Sequence, residues 1–243
     1  MQGAAQMDLG RNYVMKIRMK FTKLGSVKYV GHLDTMRLFQ RAIKVAAIPV
    51  AYSQGFSPHS LVYFAMPLAV GMSSIGEYMD MITTEVVKPA EVKEQLNRVL
   101  VEGIEIIDAF VIEEDKDSLM SLVKAADYRI TLTVEDKPFI KEMLIKKLEG
   151  TFSLLVEKKG KKELKQVDIR PLILKAAVSE NEEGLIIDAM VLAGSAQNLH
   201  PELLLKALMG EEALSYTACI TRKELYTGGQ EGFIPLDAFG ILS

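Results

Sequence analysis

The chain has 243 residues, 49% of them hydrophobic and 25% charged, with a formal net charge of −3. That balance excludes a disordered tail, a fibrous repeat and a histone-like polycation, and the length allows one to two domains. A single cysteine, Cys219, excludes an intramolecular disulfide, a four-thiolate zinc site and an iron–sulfur cluster.

The charge is unevenly distributed. Residues 1–60 sum to +7, residues 61–118 to −8 and the remainder to −2. A +7 segment suits a phosphate-binding face, unless the acidic segment packs beside it and neutralises it. The longest apolar stretch, Leu61 to Met72, is interrupted by Pro67 and Gly71 and falls short of the roughly 20 residues of a membrane span. Residues 1–14 read as an extension with neither a basic start nor an apolar run, so a cytoplasmic location without membrane contact is expected.

From Val14 to Thr22, Met15, Ile17, Met19 and Phe21 alternate with Lys16, Arg18 and Lys20, the pattern of a half-buried strand with a basic polar face. Residues 33–47 place Met36, Phe39, Ile43 and Ala46 at helical spacing before Pro49 stops the helix. Leu61 to Met66 and Glu77 to Thr84 read as strands, and Pro89 opens a second helix. Ile104 to Ile112 closes this half as a strand, and residues 113–126 read as an acidic, then helical, bridge.

The second half repeats the rhythm. A strand over Tyr128 to Val134 precedes a helix over Pro138 to Leu148. Leu154 to Glu157 and Leu164 to Ile169 flank the turn Lys158 to Lys162 as a hairpin. Leu172 to Val178 and Leu185 to Leu192 form another, and Pro201 starts a helix ending near Gly210. Leu214 to Leu225 supplies the last strand, with Cys219 expected to be a small buried hydrophobe. The expected fold is therefore α+β: two ferredoxin-like βαββαβ units in tandem, residues 15–118 and 119–243, the second with an inserted β-hairpin.

Two segments could carry chemistry in the first unit. Lys28 to Asp34 opens the first helix, whose Arg37, Arg41 and Lys44 form one basic stripe; on its own such a stripe is also what a solvated face looks like. The loop Tyr52-Ser53-Gln54-Gly55-Phe56-Ser57-Pro58-His59-Ser60 sets two aromatics and a histidine among small residues, suited to stacking on unpaired bases. The candidate RNA-binding residues are Lys16, Arg18, Lys20, Lys28, Arg37, Arg41, Lys44, Tyr52, Phe56 and His59. His32 and His59 are candidates for general acid/base work on a ribose–phosphate backbone if they meet in space. The spacing of His32, Asp34 and His59 matches no short metal-ligand motif, and no cofactor motif is present. A second loop, with Gly194, Ser195, Asn198 and His200, leads into the helix at Pro201 and lacks the Gly-Lys-Ser/Thr ending of a phosphate loop.

The run KYVGHLDTMRLFQRAIKVAAIPVAYSQGFSPHSLVYFAMPLAVG, the later Glu77-Tyr78-Met79-Asp80, the turn Val167-Asp168-Ile169-Arg170-Pro171 and the loop from Gly194 to Pro201 resemble the radical SAM-linked protein family, a bacterial domain of unknown function. The resemblance runs from about Met15 through nearly the whole chain. In other members the domain is fused behind, or encoded beside, a cobalamin-type radical SAM protein, so the resemblance implies such a partner rather than an activity. One cysteine cannot supply the CxxxCxxC run of a radical SAM cluster.

Three functions are therefore weighed. The first is an accessory module that binds RNA, tRNA or ribosomal RNA, and presents it to the radical SAM partner. The second is a metal-independent RNA-processing endonuclease using His32 and His59, by likeness to CRISPR repeat-processing endonucleases. The third is a protein-interaction or small-ligand module using residues 52–60 or the Gly194 loop.

Overall fold

The computed structural model describes residues 14–112, 117–150, 152–159, 164–210, 217–229 and 232–239. The N-terminal extension to residue 13, the acidic 113–116, the middle of the Lys158 to Lys162 turn and the start of the last expected strand lie outside the described residues.

The first half runs β1 (Met15–Lys23), α1 (His32–Val45), β2 (Val62–Phe64), β3 (Ser73–Thr83), α2 (Pro89–Asn97) and β4 (Ile106–Ile112). β1 lies between β3 and β4, antiparallel to both, and β2 pairs with β3. The alternation in β1 sends Ile17, Met19 and Phe21 into a core with Phe39 and Ile43 of α1, Val92 and Leu96 of α2, and Met79 and Met81 of β3. Burying each such side chain contributes roughly 1.5–3 kcal/mol. Phe39 lies 4.8 Å from Phe21 and 5.5 Å from Phe64 between ring centres, in edge-on contacts that fix α1 on the sheet.

The second half runs α3 (Leu119–Leu122), β5 (Val123–Thr133), α4 (Lys137–Glu149), β6 (Leu155–Lys159), β7 (Leu164–Asp168), β8 (Ile173–Glu180), β9 (Leu185–Leu192), α5 (Pro201–Met209), β10 (Thr217–Gly229) and β11 (Gly232–Pro235). β6 and β7 form a separate hairpin. The remaining strands join the first half in one sheet of order β4-β1-β3-β10-β5-β9-β8, with β2 on β3 and β11 on β10. The architecture is mixed α/β, with a large, mostly antiparallel sheet and few helices.

The two halves meet where β3 and β10 pair in parallel, Ser73 with Thr221 and Ser74 with Arg222. Gly76 makes this approach possible. A Cβ there would lie 2.4 Å from the Lys223 carbonyl oxygen and 2.9 Å from Glu224 Cα, distances that backbone atoms cannot yield without moving the strands apart.

Four expectations need correction. Of the expected helical bridge 113–126, Leu119–Leu122 is helical and residues from Val123 onward belong to β5, where Val123 and Ala126 pack with Ile130 and Leu132 in the core of the second half; 113–116 lie outside the described residues. β3 begins at Ser73 rather than Glu77, and β11 was not expected. Cys219 is exposed, being on the β10 face opposite the buried residues. The polar face of β1 is largely covered: residues 236–239, which follow β11, supply main-chain and carboxylate partners to it.

Candidate nucleic-acid interface

The basic strand is spent internally. Arg18 is 1% exposed; its Nε donates to Asp80 Oδ1 at 2.8 Å and its Nη2 to Asp80 Oδ2 at 3.1 Å, while Nη1 reaches the Leu236 and Phe239 carbonyls. Lys16 pairs with the same Asp80 at 3.2 Å. Lys20 meets Glu224 and Asp237, each at 2.6 Å, and Glu224 also accepts from the Tyr78 hydroxyl. Burial opposes the charge on Lys20, but the two carboxylates outweigh it and hold the ammonium above its ordinary pKa. Lys16, Arg18 and Lys20 therefore leave the set of RNA-contacting candidates: their charge is cancelled within the sheet.

The basic stripe of α1 does face solvent. Arg37, Arg41 and Lys44 are exposed, and Arg37 shares an exposed ion pair with Asp34 at 2.9 Å. Such a pair contributes little to stability and is readily exchanged. Between α1 and Val99 and Val101 runs a groove of about 680 Å³, lined on the α1 side by Leu38, Ala42 and Val45 together with Asp34, Arg37 and Arg41. On the approach to α1, Lys28 sits 5.2 Å over the ring of the exposed Tyr29.

The loop 52–60 is tied at its neck and open at its tip. Tyr52 bridges Ser60, the Ser53 amide donates to the His59 carbonyl at 2.8 Å, and Ser53 Oγ lies 2.8 Å from His59 Nδ1. The His59 amide also donates to Ser53 Oγ at 3.1 Å. Gly55, at φ +121°, turns the tip in a conformation that side chains rarely adopt. Phe56 is fully exposed there and Tyr52 half-exposed. At the neck, Ser60 Oγ is buried with no hydrogen-bond partner.

His32 and His59 take different partners. His32 packs edge-on against Phe64 at 5.7 Å, whereas His59 belongs to the loop clasp, and no hydrogen bond joins the two. Burial pushes the His32 imidazole below its ordinary pKa; Glu77 raises it again and Lys23 lowers it. Beside His32, Lys23 is buried, and Arg222 pairs with Glu77 and donates to the Met66 carbonyl. Sequence reasoning passed over Lys23 and Arg222. The available signal was a charged side chain two residues beyond Ile220, in step with the apolar face of a strand.

The second loop closes differently. His200 occupies the residue before α5 without its side chain capping the helix, and Asn198 Nδ2 lies 3.2 Å from His200 Nε2. Asn198 Oδ1 is buried without a partner. Gly194 and Ala196 line a pocket of about 420 Å³ with Lys124, Gly228 and Phe233, while Ser195 is exposed. A Cβ on Gly194 would meet the Val123 carbonyl oxygen at 2.3 Å. The Val167 to Pro171 turn is structural: Asp168 accepts from the Leu154 and Arg170 amides, and Arg170 donates to the Lys147 and Leu148 carbonyls at the end of α4. Among the described residues no group of three His, Cys, Asp or Glu side chains is placed to hold a metal ion, and no helix is long and apolar enough to cross a membrane.

Residues 16–201 match the family described as "Uncharacterized protein conserved in bacteria (DUF2344)". The chain belongs to this family. No curated protein matches it. Among solved structures, a chain of a Cbf5-Nop10-Gar1 complex is similar over 86% of the present chain at 11% identity, with a TM-score of 0.44. The DUF2344 chain spans about half of that one's length, 48%. An unknown protein from Galdieria sulphuraria is similar over 86% of this chain and 98% of its own at 9% identity, with a TM-score of 0.26.

Proposed function

We propose that the DUF2344 chain is a non-catalytic module of two tandem ferredoxin-like units, residues 15–118 and 119–243, that binds RNA and presents it to a radical SAM partner. The strand orders support the fold reading. Each half repeats one pattern, its fourth strand beside its first, then its third, with its second on the third: β4-β1-β3-β2 and β10-β5-β9-β8. The β6–β7 hairpin is then the insertion in the second unit.

The observation that carries the RNA reading is the pairing of an exposed cationic helix face with a clasped loop that holds Phe56 wholly in solvent. Arg37, Arg41, Lys44 and Lys28 would neutralise phosphates, and Tyr52 and Phe56 would stack on unpaired bases. With one cysteine the chain holds no radical SAM cluster of its own, so any radical step falls to the partner.

Fluorescence anisotropy with labelled tRNA across a salt series tests this. Wild-type binding should weaken steeply with salt while the RNA stays intact. The double change Arg37→Glu and Arg41→Glu should cost at least about tenfold in affinity and lower the salt slope by about 2. Phe56→Ala should cost roughly tenfold with the slope unchanged. An affinity and slope unmoved by the double change would overturn the reading.

A further inference from the structure

Where β1, β3 and β10 converge, one buried positive charge has no ion-pair partner among the described residues. Lys23, 3% exposed, ends β1, and its ammonium donates a single hydrogen bond, 2.6 Å to the Val30 carbonyl. No carboxylate lies within 4 Å of it among the described residues; the nearest to act on it is Glu77. Glu77 is already engaged by Arg222, with Nε to Oε1 at 2.8 Å and Nη2 to Oε2 at 2.5 Å. The charges of Glu77 and Arg222 act on Lys23 in opposite directions, Glu77 favouring its ammonium and Arg222 opposing it. With two cations and one carboxylate, the cluster sums formally to +1 among the described residues, and an uncompensated ion inside a protein is strongly disfavoured.

Donors are also left unspent. An ammonium carries three N–H groups, and among the described residues Lys23 uses one. His32, which is partly exposed, interacts electrostatically with Lys23 and Glu77. α1 starts at His32, and its N-cap Gly31, directly after the Val30 that holds Lys23, has no side chain to cap the first turn. The donors and the missing negative charge belong to the same place.

We propose that this junction binds a phosphate-class oxyanion, held by the Lys23 ammonium and the His32 ring, with the Arg222–Glu77 pair as its rigid wall. The anion supplies the absent charge and accepts the unspent donors. Its source is either free phosphate, as such or on a small molecule, or the backbone of a bound RNA. The site does not depend on the RNA reading, since neither Arg37 nor Arg41 takes part.

The test is thermal unfolding of the full chain in inorganic phosphate against chloride at matched ionic strength. Phosphate at about ten times its Kd should raise Tm by roughly 3–5 °C. Lys23→Met should abolish that rise, while its Tm in chloride equals or exceeds that of the wild type. A rise that survives Lys23→Met, or no rise in the wild type, would sink the site. Should Lys23→Met not fold, an NMR titration of the wild type replaces it: phosphate should raise the His32 pKa, and an unmoved His32 refutes the proposal. The source is separated by RNA anisotropy. A tenfold loss of RNA affinity in Lys23→Met assigns the anion to RNA, and unchanged affinity assigns it to free phosphate. A protein that binds no RNA yet keeps the phosphate-dependent rise overturns the proposed function and leaves this site standing.

Discussion

Along one face of β1, Lys16, Arg18 and Lys20 meet Asp80, Glu224 and Asp237, three cations against three carboxylates. At the end of the same strand, Lys23 and Arg222 have, among the described residues, one carboxylate between them, Glu77. Arg18 and Asp80 of the first group are as buried as Lys23 and Arg222 of the second, while Lys20, Glu224 and Asp237 are partly exposed. The first holds its charges in mutual hydrogen bonds, as buried ions require. The second has a cation in surplus, and burial pushes the Lys23 amine below its ordinary pKa, with Glu77 raising it and Arg222 lowering it. A balanced cluster is explained by the fold; a surplus calls for something besides the fold.

Breaking the balanced side should have the largest effect. Asp80→Ala strands Arg18 in the interior with two carbonyls for partners, and stability in urea should fall by about 3–5 kcal/mol. Gly76→Ala strikes the strand contact between the two clusters, forcing a methyl against the Lys223 carbonyl, and should cost about 2–3 kcal/mol in the same assay. The surplus side should respond in the opposite sense, with Lys23→Met gaining about 1 kcal/mol in phosphate-free buffer.

That gain should also depend on pH. The native Lys23 pKa lies below the ordinary 10.5, so the native state binds fewer protons than the unfolded chain between the two values. Wild-type stability should therefore rise across that window relative to Lys23→Met, and the difference between the two should shrink as pH approaches 10.5. Parallel stability–pH curves for the two proteins would remove the surplus charge from the account. The smallest effect falls on Asp237→Asn: Lys20 keeps Glu224, and Asp237 is partly exposed, so the loss should be about 0.5–1 kcal/mol by thermal melting.

Much of the fold was legible in the sequence because it is written in local periodicity. Ile17, Met19 and Phe21 announce β1, and Pro89 and Pro201 mark the starts of α2 and α5. β11 was not, since Gly-Phe-Ile-Pro is too short to show alternation. The start of β5 was hidden because Val123-Lys124-Ala125-Ala126 suits a helix equally well by propensity. The candidate site divides along the same line. Arg37, Arg41 and Lys44 are exposed where helical spacing puts them, and Phe56 stands in solvent as a loop of small residues allows. The fate of Lys16, Arg18 and Lys20 was invisible because their carboxylates lie 60 to more than 200 residues away in the chain. Local pattern reports that a side chain is charged; only the assembled sheet reports whether that charge is already spent.

The reach of Arg18 to Leu236 has a consequence for how the protein is made. The two residues are separated by 218 positions, and Arg18 is buried only once residues 236–239 lie over it. At a synthesis rate of roughly 5–20 residues per second, the first strand waits about 10–40 s on the ribosome for its last partners. Through that interval the core beneath β1 can form, but its charged upper face stays wet. Burial of that face therefore waits on residues 236–239, and a nascent chain stalled before residue 236 should carry a β1 that is paired, packed on one side and still open to solvent on the other.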